Sequence, residues 1–360
     1  MLANSHARAI PAHSMRSTWR GVTLFLLSTT GYIACWIAAM VRPESQMTWE
    51  SAGITLFTCT LFVIGHDACH GSLTSNRLLN GVLGRISFLP AYHPFSSWEH
   101  SHNHRHHIFT NVRGLDPVFA PLSKSEYDAL APSRRCLYRF YRTTAGMGLY
   151  YFLEIWWKLE IFPSKDARPR GHRSRHFLID RFCVAAFLAA QCAMILAISE
   201  GTRTVMAIFA LIVVPFAGFN ALIGFVIFLH HTHPDVPWYK DREDLYFFSR
   251  QAQSSVHVVF PRVFELLLHN IMVHTAHHVD VRVPLYQLRD FQKLLENSPK
   301  NITSYEWSWQ SWRRTLRVCL LYDYETHQWL NFNGIAMTAP LVGSLSPEPI
   351  CSDSGISDDQ

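Results

Sequence analysis

The stretch TVMAIFALIVVPFAGFNALIGFVIFLHHTHP, residues 204–234, begins with 26 residues without a charged side chain and ends with three histidines within four positions. At a helical rise of 1.5 Å per residue, 26 residues extend about 39 Å, whereas the hydrocarbon core of a bilayer is roughly 30 Å thick. The excess length carries the histidines past one face of the membrane. The stretch therefore predicts a transmembrane helix with a histidine-bearing end.

Three other segments have a similar character. Residues 21–41 are uncharged and long enough to cross a bilayer, while the uncharged runs 51–65 and 182–198 would also suit buried core helices by length alone. A hydrophobic content of 49% with only 16% charged residues favours membrane spans. We therefore predict an all-α membrane protein with about four transmembrane helices, at residues 21–41, 47–65, 179–199 and 204–230.

The distribution of basic residues predicts the orientation. Residues 66–176 contain 15 Lys or Arg against 8 Asp or Glu, whereas the links 42–50 and 200–203 carry one Arg each. Because cytoplasmic loops are enriched in Lys and Arg, we expect the long loop, both termini and the C-terminal third to be cytosolic. No basic run with interleaved aromatic residues indicates nucleic-acid binding, so the net charge of +5 is interpreted as basicity near the headgroups.

We expect one membrane domain, residues 18–332, between flexible tails at residues 1–17 and 333–360. Ser, Pro, Asp and Gly dominate the end of the second tail, a composition typical of disorder. Within the domain, residues 66–176 and 231–332 are predicted to be cytosolic and to form a helical cap on the spans.

Two aromatic segments of the cap have no simple interpretation as spans. Residues 146–162 are apolar but contain Glu154, Lys158 and Glu160, which suits a helix lying in the membrane interface. Residues 305–332 carry four tryptophans among charges. They predict either a partly amphipathic cytosolic helix near the headgroups or an ordinary packed surface helix.

Histidines collect at four places on the predicted cytosolic side: HDACH at 66–70, HNHRHH at 102–107, HHTH at 230–233 and HTAHH at 274–278. In a helix, His66 and His70 would lie one turn apart on one face, although two such histidines can also simply form hydrogen bonds. Four histidines within residues 102–107 have no obvious structural purpose and favour metal binding. Their ordinary pKa near 6.5 leaves most of them neutral in the cytosol.

The last histidine group follows a helical-looking segment, residues 264–273. Spacings of three and four place His274 on the same face as His277 and His278, with Asn270 one turn earlier. Asp280 lies two residues after this histidine group. It is predicted either to accept a hydrogen bond from a ligand N–H or to face solvent.

The number of histidines indicates the type of metal site. A zinc ion needs three or four protein ligands, and the HExxH pattern of zinc proteases is absent because Asp67 follows His66. Nine well-placed histidines exceed the needs of one ion. Two iron ions would suit them and would allow O₂ chemistry, although ligand type alone does not distinguish iron from copper or manganese.

These motifs resemble the membrane fatty acid desaturases, a superfamily that includes alkane hydroxylases and carotenoid ketolases. Its order of HxxxH, then HxxHH or HxxxHH, then a late HxxHH is met by GHDACHGSL at 65–73, SHNHRHHIFTN at 101–111 and HTAHH at 274–278. FLHHTHPDVPWY at 228–239 and LHNIMVHTAHHVDVRVPLYQL at 268–288 also resemble bacterial acyl desaturases. This resemblance implies that the chain lies in a bacterial inner membrane.

The resemblance implies nine iron ligands, with His231 as the additional histidine after the fourth span: His66, His70, His102, His106, His107, His231, His274, His277 and His278. The shorter form of the second motif would put Asn103 in the place of His102; we prefer the longer form. Supporting roles are expected for the remaining polar residues near the motifs: Asp67, His100, His104, His230, His233, His269, Asn270 and Asp280.

The implied activity is desaturation of a fatty acyl chain with O₂ at a di-iron centre. The acyl chain would be carried by a lipid, coenzyme A or an acyl-carrier protein. No haem-domain, flavin or iron–sulfur motif is present, so electrons would come from a separate ferredoxin or small cytochrome. A hydroxylase or ketolase of the same superfamily is the alternative enzyme. A membrane metal carrier would instead place its ligands within the spans.

Overall fold

The computed structural model describes residues 15–41, 47–165, 168, 172–247, 254–297 and 302–340. Most of the two predicted tails, residues 1–14 and 341–360, lies outside these ranges. Residues 333–340, which we assigned to the C-terminal tail, are described, and the backbone N–H of Met337 donates to the carbonyl of Trp329 at 2.8 Å.

The described chain is mainly helical. Its helices are α1 Thr18–Val41, α2 Thr48–Cys69, α3 Arg77–Phe88, α4 Phe95–Ser101, α5 Lys124–Ala129, α6 Pro132–Tyr141, α7 Gly146–Tyr150, α8 His172–Ile198, α9 Thr202–Ile208, α10 Val214–His231, α11 Arg242–Phe247, α12 Arg262–Leu267, α13 His274–Val279, α14 Leu288–Glu296 and α15 Trp309–Val318. Wider π-helical turns directly continue α4, α7 and α9, and they span His102–His106, Tyr151–Ile161 and Phe209–Val213.

Strands contribute only two short pairs among the described residues. β1 (His257–Val259) pairs in parallel with β2 (Ser304–Glu306), and β3 (Leu321–Asp323) pairs antiparallel with β4 (Gln328–Leu330).

Four helices are long and apolar enough to cross a bilayer: Thr18–Val41, Thr48–Cys69, Ser174–Ile198 and Thr202–His231. The last is α9, its π turn and α10 joined into one helix of 30 residues. They confirm the predicted all-α membrane fold with four spans.

The spans pack through close contacts at small residues. A side chain at Gly31 of α1 would lie 2.2 Å from the ring of Phe57 on α2, and one at Gly218 of α10 would lie 2.7 Å from Thr55. Both contacts involve α2, so this helix is central and mostly buried. α8 lies at the periphery and buries few residues.

Residues 146–161 form one helix from α7 and its π continuation, and this helix packs on α10. A side chain at Gly148 would lie 2.8 Å from the Cα of Ala221, so only glycine permits the approach. Its position at the membrane interface stays a prediction.

The prediction of one helix over residues 305–332 was wrong. Ser308 caps α15, and the helix ends at Val318. β3 and β4 then form a hairpin in which Tyr322 and Trp329 are fully buried, with ring centroids 5.0 Å apart. These aromatic side chains build a separate small core with Trp238 instead of facing the headgroups.

Candidate metal centre

The structure brings together the nine histidines that the sequence predicts as ligands. They divide into two groups, and within each group the candidate ligand nitrogens lie within 4.8 Å of one another. The first group is His66, His70, His102, His107 and His277; the second is His106, His231, His274 and His278. The groups adjoin, since the ring centroids of His107 and His278 are 4.5 Å apart.

Helix ends supply most of these side chains. The last turn of α2 carries His66, and His70 follows it directly, with ring centroids 4.9 Å apart. The last turn of α10 carries His231. α13 contributes the last three histidines within two turns, as their spacing predicts.

The second histidine motif lies on a π turn. The N–H of His107 donates to the carbonyl of His102, five residues earlier, at 3.0 Å. Residues i and i+5 of an α-helix would face about 140° apart, but the wider turn brings them onto one side. Their Nε2 atoms are consequently 3.0 Å apart.

On the π turn, the side chains of His102 and Asn103 have different partners. The amide of Asn103 donates to the carbonyl of Cys69 at 3.0 Å, which fastens the turn to the end of α2. His102 is in the first histidine group and Asn103 is in neither. This geometry favours the longer form of the motif.

The spacing of the ring nitrogens fits bound metal ions. Nε2–Nε2 distances are 3.1 Å for His107 and His277, 3.0 Å for His231 and His274, and 3.0 Å for His274 and His278. Two nitrogens about 2.1 Å from one ion and at right angles to each other would be separated by about 3.0 Å. The buried Nε2 of His70 has no hydrogen-bond partner among the described residues, which also suits a ligand.

The surroundings of six candidate ligands outside the spans favour the neutral imidazole. Burial is the main cause that lowers the pKa of their imidazoles well below 6.5, and neighbouring imidazoles lower it further. This applies to His70, His102, His107, His274, His277 and His278. Neutral imidazole has the lone pair that a metal ion requires.

Asp116 supports the site and was not predicted from the sequence. Its Oδ1 and Oδ2 lie 3.0 and 3.1 Å from Nδ1 of His106. The carboxylate assigns the ring N–H to Nδ1 and leaves Nε2 free to bind metal. Backbone N–H groups of Asn111 and Val118 donate to Asp116 and hold it in place. The available signal was an acid within the apolar stretch LDPVF, residues 115–119.

His231 is oriented by the backbone. Its Nδ1 lies 3.3 Å from the carbonyl of Ser254, so the ring N–H points away from the second group. His230, one residue earlier, stacks on His274 with ring centroids 3.9 Å apart.

The structure gives other partners to the acids that we expected to support the site. The carboxylate of Asp67 accepts from the backbone N–H of Leu285 at 3.3 Å and ties α2 to the chain beyond α13. Asp280 accepts from the guanidinium of Arg282 at 2.8 Å. Asp280 thus pairs within its own loop.

Asn270 does not lie on a continuous helix before His274. α12 ends at Leu267, and His269 and Asn270 adopt positive φ angles of 50° and 61°. The Asn270 amide contacts the carbonyl of Leu285 and the guanidinium of Arg262. The helix predicted over residues 264–273 is therefore broken by a left-handed turn.

The other predicted supporting histidines lie outside both groups. His104 pairs with His100 at a ring distance of 5.6 Å, and His233 stacks on Tyr305. His269 Nε2 lies 3.4 Å from Ser28 Oγ on α1.

An apolar cavity adjoins the histidines. His66, His102 and His231 contribute to its wall, and Trp98 stacks on His102 with centroids 5.0 Å apart. The apolar part of the wall comes from α2, α4, α10 and neighbouring segments: Phe62, Val63, Trp98, Pro117, Val118, Ile155, Leu159, Ile223, Val226, Ile227, Leu268 and Ile271. The cavity therefore places an apolar surface directly beside the candidate metal ligands.

Fold and site define a membrane protein with a histidine-lined centre beside an apolar cavity. The sequence profile of the family "Fatty acid desaturase" matches residues 47–311, and the chain belongs to this family. It is therefore an oxidoreductase that acts on lipid substrates in a membrane.

Several desaturases are similar along most of the chain. The chloroplastic omega-6 fatty acid desaturase of Glycine max is 30% identical over 314 residues, which cover 85% of this chain and 69% of the relative. The sn-1 oleoyl-lipid 12-desaturase of Picosynechococcus sp. is 28% identical over 311 residues, with 85% of both chains covered. The protein of that name from Arthrospira platensis is 30% identical over 258 residues, with 71% and 69% covered.

Proposed function

We propose that the chain uses O₂ and external electrons to introduce a double bond into a fatty acyl chain of a membrane lipid, and that two iron ions serve this reaction. The observation that carries the proposal is the collection of nine histidines into two adjacent groups beside an apolar cavity. Imidazole ligands suit iron, and a pair of irons can exchange electrons with O₂.

We assign one ion to each group. His66, His70, His102, His107 and His277 would hold the first ion, and His106, His231, His274 and His278 the second. When bound, the ions supply the redox chemistry that removes hydrogen from an unactivated methylene.

The chain's own contribution is orientation and exclusion of water. Asp116 fixes the ring of His106, and the Ser254 carbonyl fixes that of His231. Trp98 covers one face of His102. The apolar wall would hold a segment of the acyl chain by burial and keep water from the reacting carbons.

A lipid-linked chain is the proposed substrate because two similar proteins are named for an sn-1 oleoyl lipid. Oleoyl lipid is therefore the first substrate to test. Electrons would come from a separate one-electron carrier, such as a ferredoxin or small cytochrome.

We further propose that residues 18–332 form the membrane desaturase domain and that the histidine groups face the cytosol of a bacterial cell. Support comes from the excess of Lys and Arg in residues 66–176 over the links 42–50 and 200–203.

Expression in a bacterial host supplied with oleoyl chains, followed by mass spectrometry of the lipids, tests the activity. A second double bond is expected with the wild type and lost in His277→Ala. His233→Ala changes a histidine outside both groups and serves as the control. Hydroxylated chains or altered carotenoids without new unsaturation would contradict the proposal.

A further inference from the structure

A buried acid lies beside the second histidine motif. Glu160, in the π-helical part of residues 146–161, is fully buried. Ser101 Oγ donates to its Oε1 at 2.6 Å, whereas Oε2 has no hydrogen-bond partner among the described residues. Within the same part of the chain no Lys or Arg forms an ion pair with it. A carboxylate in this place would be an uncompensated charge.

This environment favours the protonated acid. Burial raises the pKa of Glu160 to about 7, and the hydrogen bonds from Ser101 and Ser97 only partly oppose it. The titratable groups that interact with it include Tyr151 and Cys69, and neither supplies a positive charge. Near neutral pH the carboxyl can therefore both hold and release a proton.

Ser101 connects this acid to the cavity. It is the last residue of α4, directly precedes His102, and lines the apolar cavity. Among the described residues of the cavity wall it is the only one with a hydroxyl group, and the wall includes no carboxylate. Ser101 thus contacts Glu160 through its hydroxyl and is also part of the cavity wall.

Desaturation needs protons at this place. One O₂, two hydrogens from the acyl chain, two electrons and two protons balance to one double bond and two waters. The two protons must enter a cavity with mostly apolar walls. Neutral imidazoles that bind metal through one nitrogen do not provide them.

Building on the proposed desaturase function, we propose that Glu160 donates protons to the cavity through Ser101. The O–H bond of Ser101 breaks as its proton moves to an oxygen atom of the O₂ that is being reduced. The proton of Glu160 then moves to Ser101 Oγ. The carboxylate that remains takes up a proton from solvent before the next transfer.

Infrared spectroscopy of the purified enzyme tests the acid without relying on turnover. The wild type should show the C=O band of a buried carboxylic acid, and the band should decline as the pH rises through about 7. Glu160→Gln keeps the size of the side chain and should remove this band. If the wild-type and Glu160→Gln spectra show no difference in this C=O band, the proposal is overturned.

Kinetics with matched serine variants test the path. Ser199, directly after α8, is buried, but its hydroxyl donates to the backbone carbonyl of Ile195 and it does not line the cavity. Ser101→Ala and Glu160→Gln should lower kcat about 100-fold, with KM and iron content unchanged and a larger solvent deuterium isotope effect. Ser199→Ala should leave kcat and the isotope effect near wild type.

Wild-type kcat in Ser101→Ala, or equal losses in both serine variants, would overturn the relay. If the wild-type enzyme forms no double bond at all, the proposed function fails instead, and the infrared band still reports on Glu160. If Glu160→Gln does not fold, the wild-type pH series and the two serine variants decide.

Discussion

Nδ1 of His106 lies 3.0 Å from Oδ1 of Asp116, and both side chains are almost completely buried. This pair joins the second histidine motif to the loop that follows it. The contact directs the other ring nitrogen toward the group that contains His231 and His278, whose rings lie 4.6 and 5.0 Å away.

Asp116→Asn should weaken metal binding at the second group. The amide lacks the negative charge that holds the His106 N–H, so we expect a loss of about 10- to 100-fold in iron affinity or activity. Competition with a chelator measures the affinity. Asp128→Asn changes an exposed acid and is the control. Equal iron retention in both variants would contradict the supporting role of Asp116.

His102→Ala and Asn103→Ala should separate the two forms of the second motif. We expect His102→Ala to lose iron and activity. Asn103→Ala removes a hydrogen bond to Cys69 worth about 1 kcal/mol and should keep its iron. Metal analysis of the purified variants checks both, and iron loss only in Asn103→Ala would reverse the assignment.

Filling the cavity should block the substrate but not the metal. Val226 of α10 is buried and lines the cavity. Val226→Phe is expected to lower product formation about tenfold because the added ring fills space that the acyl chain would occupy, and a packed wall cannot easily move aside. Iron content should stay at the wild-type level. Val205→Phe, on an exposed part of α9, should have little effect, and a similar loss in that variant would argue against the cavity as the acyl site.

Asp180 should stabilise the start of α4. It accepts from Ser96 N–H and from Arg85 Nε, both at 2.8 Å, and so ties α8 to α4 and α3. Asp180→Asn should lower the free energy of unfolding by about 1–3 kcal/mol. Thermal unfolding in detergent measures the change. Glu200→Gln is an exposed control, and an unchanged midpoint in Asp180→Asn would contradict the role.

The sequence predicted the four spans and the collection of histidines well because both depend on local features. Long uncharged runs have few alternatives to a membrane helix, and motif order limits which histidines meet. The clustering of His231 with His274 followed from the length of the fourth span.

Features that depend on tertiary contacts were not predictable in the same way. The π turn at His102–His106 forms where Asn103 bonds to the end of α2, a partner 34 residues away. The left-handed turn at Asn270 breaks a stretch whose composition favours helix. Asp116 has no motif spacing to the histidines and becomes recognisable only through its contact with His106.

Metal analysis of the purified protein, with His277→Ala beside the wild type, tests the central claim most directly. We predict about two iron ions per chain in the wild type, because each histidine group would hold one ion. His277→Ala should lose iron and all desaturation. Bound zinc in place of iron, with full desaturase activity in His277→Ala, would contradict the di-iron centre.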